Sequence, residues 1–219
     1  MPPSQSPLVA VDVVIFTIAD GALQALLVEV KSGPFAGRWA FPGGLVPVGE
    51  APEATATREL LAQTGIADVY LEQLRTFGDP GRDPQAHVVS VAYFALVASK
   101  GEAQADNPKY RRMQWVPVRG LASLAYDHNQ LAACALGRLQ SKLAYTNIVY
   151  SLLPREFTLG ELQEIYEIIL GRQLDRRNFR KKILALGLLR PLRRHRRGPH
   201  RPAQLYVFTR REPMNVEML

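Results

Sequence analysis

Two stretches of this 219-residue chain carry side chains arranged for chemistry. In the first, Gly44 is followed by Glu50, then Arg58-Glu59-Leu60, then Gly65-Ile66. Glu59 falls within a helical pattern and Glu50 at its start. Mg²⁺ can be held through one or two carboxylates plus substrate phosphates, so Glu59 alone supports at most weak metal binding beside a diphosphate. Glu53 adds nothing, because six residues earlier it points about 120° away around a helix of 3.6 residues per turn. The second stretch is Asp175-Arg176-Arg177-Asn178-Phe179-Arg180-Lys181-Lys182-Ile183, followed by Arg193, Arg194, His195, Arg196 and Arg197. Arg176, Arg177 and Asn178 are types that read guanine or adenine edges, while Arg180 and Lys181 suit phosphates. The four later arginines suit phosphates or a minor groove.

Composition narrows the partners. The net charge of +7 is unevenly placed: 12 Lys and Arg stand against 13 Asp and Glu through Ala144, and 15 against 7 from Tyr145 onward. A nearly neutral segment thus precedes one of +8, which points to a polyanion such as nucleic acid at the C-terminal part. The single cysteine, Cys134, excludes an internal disulfide and a multi-cysteine metal site. No apolar run reaches about 18 residues and no basic segment precedes Val9 to Ile18, so neither a membrane span nor a secretory signal is expected. The expected location is the cytoplasm.

The elements that must position these residues fall into two groups. Val9 to Thr17 and Ala25 to Val30 read as strands joined by the hairpin Ala19-Asp20-Gly21, with Asp12 interrupting the first run. Gly33 to Gly44 reads as a loop around Trp39, and Glu53 to Gln63 as a helix with Pro52 in its first turn and Gly65 as its stop. Val69 to Phe77, Val88 to Val97 and Met113 to Val116 read as strands, and Leu121 to Leu143 as a helix, giving an α/β unit. After Tyr145 come helical tracts at Asn147 to Leu153, at Leu159 to Leu170 with Thr158 and Glu161 as a capping box, and from Asp175 through Leu186. Strands Leu188 to Leu192 and Gln204 to Thr209 flank a basic loop. Phe179, Ile183, Leu184 and Leu186 form the apolar side of the third helix, and the cations project outward.

The spacing from Gly44 to Gly65, with Trp39-Ala40-Phe41-Pro42-Gly43 upstream, resembles the Nudix box, and residues 8 to 143 resemble a Nudix domain. The resemblance implies an α/β/α sandwich with a mixed sheet. In that family two glutamates stand where this sequence has Ala62 and Gln63, so the face Glu59, Ala62, Gln63 keeps one carboxylate of three. Arg58 is expected as a buried brace, Glu59 as a residual metal ligand or the partner of Arg58, and the Gly43-Gly44 pair as a tight backbone passage. Trp39 is either core or a flank to a nucleobase. Thr76 to Pro84 followed by Val88 to Tyr93 resembles the loop and strand of Nudix proteins that handle ADP-ribose. On that resemblance Arg38 and Arg82 are candidates for diphosphate contact, as guanidinium forks match phosphate oxygens.

Helix, helix, helix and basic hairpin is the outline of a winged helix-turn-helix, whose third helix enters the major groove. Joined to the Nudix-like part, it makes the chain resemble the Nudix-related transcriptional regulators, the NrtR family. The resemblance implies a ligand-sensing domain over residues 1–144 and a DNA-binding domain over 145–219. It further implies a homodimeric repressor of NAD-metabolism genes on an operator duplex, with ADP-ribose or a related nucleotide as effector and no required cofactor. The alternative is an active pyrophosphatase on such nucleotides, which would need Glu50 and Glu59 to suffice for catalysis.

Overall fold

The computed structural model describes residues 6–65, 69–98, 110–196 and 202–216. Its backbone contacts divide it into two compact units, Met1–Ala19 with Leu23–Leu136 and Asp20–Ala22 with Gly137–Leu219.

In the first unit β1 (Leu8–Ala19), β2 (Ala22–Val30), β3 (Trp39–Ala40), β4 (Gly43–Leu45), β5 (Tyr70–Phe77), β6 (Val88–Leu96) and β7 (Tyr110–Pro117) form one sheet. The order is β3-β2-β1-β6-β5, with β4 paired to β1 and β7 to β2. β1 runs parallel to β6 from Leu8↔Val88 to Phe16↔Leu96, while β5 is antiparallel to β6 and β7 to β2, so the sheet is mixed. Asp20 and Gly21 both have positive φ, 53° and 70°, the backbone that a two-residue hairpin demands.

Helix α1 (Pro52–Thr64) begins with Pro at its first position and stops where Gly65 takes a left-handed φ of 65°. Its Ala56 and Leu60 pack with Val11, Val13 and Ile15 of β1 and with Tyr93 and Ala95 of β6. Truncating a leucine buried like Leu60 costs about 2–5 kcal/mol. Helix α2 (His128–Tyr145) follows β7.

Three local expectations fail in this unit. Asp12 does not interrupt the first strand but sits within it, buried, because it has buried partners of its own. Residues 39–45 are not loop throughout: β3 pairs with β2 and β4 with β1. The helix starts at His128 rather than Leu121, because Asn129 Oδ1 accepts the Leu124 N–H (2.8 Å) and its Nδ2 donates to Ala122 O (3.1 Å), fixing a turn instead.

In the second unit a 3₁₀ turn (Ile148–Ser151) precedes β8 (Phe157–Thr158), α3 (Leu159–Leu170), α4 (Arg176–Ala185), β9 (Leu189–Arg196) and β10 (Ala203–Phe208). The three strands form an antiparallel sheet ordered β8-β10-β9. The capping box is present: Glu161 N–H donates to Thr158 Oγ1 (3.2 Å) and Thr158 N–H to Glu161 Oε2 (2.7 Å). Asp175 caps α4 through the Asn178 N–H (2.8 Å). Phe157 packs on Phe208 and Tyr166 on Phe179, with ring centroids 5.1 and 5.3 Å apart. The tract at 147–153 keeps only one 3₁₀ turn, and Arg193–Arg196 lie in β9 rather than a loop. Leu184 is 46% exposed and faces away from the core that Phe179 and Ile183 enter.

Candidate functional site

A cavity of about 530 Å³ opens in the first unit between β1, β4 and the start of α2. Asp12, Phe41, Gly43, Gly44, Arg82, Tyr110, Tyr126 and His128 line it, with Lys31 also on its wall. A second cavity of about 500 Å³ is bounded by Phe35, Arg75, Phe77, Asp127 and Gln130, and shares Arg82 and Tyr126 with the first.

Arg82 is the joint between the two. Its Nη2 donates to Asp12 Oδ2 (3.0 Å) and Asp127 Oδ1 (2.7 Å), and its Nε to Asp127 Oδ2 (3.0 Å). Ser90 Oγ donates to Asp12 Oδ2 at 2.6 Å. Phe41 N–H donates to His128 Nδ1 (2.8 Å), which places the ring proton on Nε2, 3.4 Å from Asp12 Oδ1. Burial opposes the Asp12 charge, but His128, Arg82 and Ser90 overcome it and hold the carboxyl well below the usual carboxylate range.

Of the two glycines, Gly43 marks a close passage. A Cβ on Gly43 would lie 2.3 Å from Val11 O and 2.6 Å from Asp12 Oδ1, so no larger residue fits without moving β1. Tyr110 hydroxyl donates to Gly43 O (2.9 Å) and accepts from its N–H (3.0 Å), and burial pushes the phenol upward. Tyr126 holds a φ of 53°, a strained backbone for an aromatic residue, and its ring lies 4.4 Å from that of Phe35 and 5.3 Å from that of His128.

Of the ligand candidates, Gly43, Gly44 and Arg82 line this cavity. Arg82 is buried and engaged by two carboxylates rather than open to solvent. Arg38 is exposed and clips the loop before α2, donating to Ser123 Oγ and Leu124 O, both at 2.8 Å. Trp39 is half-buried beneath Arg112, whose guanidinium carbon lies 5.7 Å from its ring. Glu50, Arg58 and Glu59 form a separate chain of ion pairs at 3.2 and 3.3 Å. Arg58 braces α1 to its preceding loop as expected, but its side chain is 51% exposed rather than buried. Sequence reasoning missed Tyr110, Tyr126, Asp127 and His128. The signal for Asp12 is in the sequence, since one carboxylate in a β-branched run calls for a buried partner.

The α1 face does not suit a catalytic Mg²⁺ cluster. Glu59 is buried and shares its carboxylate with Arg58, Gln63 is a buried neutral amide, and Ala62 offers only an exposed methyl. One carboxylate is too little charge for a metal that activates water.

The second unit presents the cations. Arg176, Arg177, Asn178 and Lys181 are exposed on α4; Arg180 is half-buried, and its Nε has no hydrogen-bond partner among the described residues. Arg193, Arg194 and Arg196 are exposed on β9, whereas Arg197 lies outside the described residues. Glu167 fixes the turn between α3 and α4 by accepting the Leu174 N–H (2.8 Å) and Gln163 Nε2 (2.9 Å). Those two donors draw its carboxyl below the ordinary value.

Comparison with known proteins bears on both units. The NUDIX domain model matches residues 7–135, and the NrtR DNA-binding winged helix domain model matches residues 149–208. The chain is 40% identical over 207 residues to an ADPR responsive transcriptional repressor of Acinetobacter baylyi, spanning 93% of this chain and 82% of that protein. The crystal structure of Shewanella oneidensis NrtR complexed with a 27mer DNA superposes with a TM-score of 0.82 at 34% identity, covering 92% of this chain and 93% of that one. The NUDIX domain of the same Shewanella protein, complexed with ADP ribose, superposes with a TM-score of 0.58 at 35% identity, over 64% of this chain and 93% of that one.

Proposed function

Since the chain belongs to the NrtR family of Nudix-related transcriptional regulators, we propose that it is a repressor whose hold on duplex DNA is released by ADP-ribose or a related nucleotide. The observation that carries the proposal is a cavity of nucleotide size in a unit whose Nudix helix is left with one carboxylate. Such a site binds without turning its ligand over. Gly43 and Gly44 put backbone on the cavity wall, Tyr110 and Tyr126 add aromatic surface, and Arg82 supplies a buried guanidinium whose charge Asp12 and Asp127 together outweigh.

On the DNA side, α4 enters the major groove with Arg176, Arg177 and Asn178 at base edges. Lys181 and the β9 arginines then hold phosphates. Two copies of the chain on a two-fold operator supply two such helices, so the working state is a homodimer. The regulated genes belong to NAD metabolism, and the place of action is the compartment that holds the genome. The alternative, a pyrophosphatase, would need Glu50 and Glu59 for its metal, and both are occupied by Arg58.

Genomic footprinting with and without ADP-ribose tests this reading. Protected sites near NAD-metabolism genes that clear on adding the nucleotide are expected. Protection that ignores the nucleotide would overturn the sensor role, and absence of protection would overturn the repressor role.

A further inference from the structure

Arg194 and Arg196 stand two residues apart on β9 and therefore share one face of the small sheet. Each guanidinium meets a carboxylate. Arg194 pairs with Glu156, just before β8, and Arg196 with Glu161, in the first turn of α3; Arg196 Nη2 also donates to Glu156 O at 3.2 Å. Both glutamate side chains are 35% exposed and the arginines 66% and 45%, so a polyanion can reach every member of the two pairs.

We propose that Glu156 and Glu161 attenuate DNA affinity by competing with backbone phosphates for these two wing arginines. The proposal rests on the DNA-binding reading above and deepens it. If an arginine leaves its glutamate for a phosphate, the vacated carboxylate remains beside the duplex and repels it. If it stays, the phosphate contact is not made. Salt weakens the arginine–glutamate pair as it weakens the arginine–phosphate contact, so the exchange of one for the other is less salt-dependent than a free arginine binding DNA. The chain then binds duplex DNA more weakly, and with a shallower salt dependence, than its count of cations dictates. Exposed pairs of this kind are weak enough to open, each reducing DNA affinity about two- to fivefold.

The structural alternative has the opposite sign. If the glutamates merely hold the arginines in a binding pose, removing their charge weakens DNA binding.

The test uses the full chain and fluorescence anisotropy with two duplexes, one of arbitrary sequence and one recovered by footprinting, across a series of KCl concentrations. Glu161→Gln retains the capping box, because a glutamine also reaches back to the Thr158 N–H. Glu156→Gln retains the carbonyl that accepts from Arg196. Each substitution is expected to tighten binding about two- to fivefold on both duplexes and to steepen the slope of log K against log salt by up to about 0.9 per arginine released. Adding Arg194→Gln to Glu156→Gln is expected to abolish that gain. Unchanged or weaker binding by both glutamine variants, at wild-type thermal stability, overturns the proposal. Wild-type protein that binds neither duplex overturns the DNA-binding reading itself, a separate outcome.

Discussion

Asp12 and Arg82, seventy positions apart, meet at 3.0 Å beneath the cavity of the Nudix unit, with side chains only 12% and 4% exposed. The pair joins a strand built mostly of apolar residues to the loop before β6, and through Asp127 and His128 to the start of α2. It therefore ties three walls of the candidate ligand site together.

Neutralising Asp12 removes one of the two carboxylates that hold buried Arg82 while Asp127 still pairs with it, so the loss is that of a charged hydrogen bond, about 1.5–3 kcal/mol. Asp12→Asn is expected to lower unfolding stability by that order in urea denaturation at neutral pH. The pH dependence has a definite sign. Because the folded-state pKa of Asp12 is depressed, its contribution is complete above the unfolded value of about 3.9 and is lost as pH falls from there toward the folded value. The variant's stability curve should be flatter than wild type below about pH 4. Parallel curves would show that Asp12 does not carry this linkage.

The carboxylate-poor face of α1 predicts no appreciable hydrolysis of ADP-ribose with Mg²⁺ or Mn²⁺. Turnover at about 1 s⁻¹, inside the ordinary enzyme range, would contradict it. Ala62→Glu together with Gln63→Glu should raise Mn²⁺ affinity, read by titration calorimetry, since three carboxylates then share one helix face. Exposed Ala62 accepts the change easily; buried Gln63 is replaced by a side chain of nearly equal size.

How much of this was legible beforehand depends on the range of the interaction. Thr158 with Glu161, Asp175 before α4 and Gly65 are local signals, and each acts within a few residues, so sequence alone places these three helix ends. The Asp12–Arg82–Asp127–His128 cluster is different, because its members come from β1, the loop before β6 and the start of α2 and meet only when these are assembled. The same holds for Arg194 and Arg196, whose glutamate partners lie 38 and 35 residues away. Residues 39–45 illustrate a further limit: glycines and prolines punctuate them as a loop, yet β1 and β2 supply open edges that pull short strands from that loop.

Exposed positions on α4 and β9 should divide by role. Arg177→Ala is expected to cost about 1–3 kcal/mol on the preferred duplex and relax its sequence preference, as loss of a base contact does. Arg193→Ala should weaken all duplexes alike and flatten the salt slope by about 0.9. Anisotropy on matched and scrambled duplexes separates the two, and equal losses from Arg177→Ala on every sequence would remove it from base readout.

A nucleotide that releases this chain from its operator must be coupled to the DNA duplex through the protein. A ligand shifts DNA affinity only when it prefers one of two arrangements, and the coupling is reciprocal. The decisive measurement is a titration of operator duplex in the absence and presence of saturating ADP-ribose, with calorimetry on the same preparation to establish that the nucleotide is bound. DNA affinity is expected to fall roughly 5- to 150-fold, corresponding to about 1–3 kcal/mol of coupling. Tight nucleotide binding with unchanged DNA affinity would contradict it.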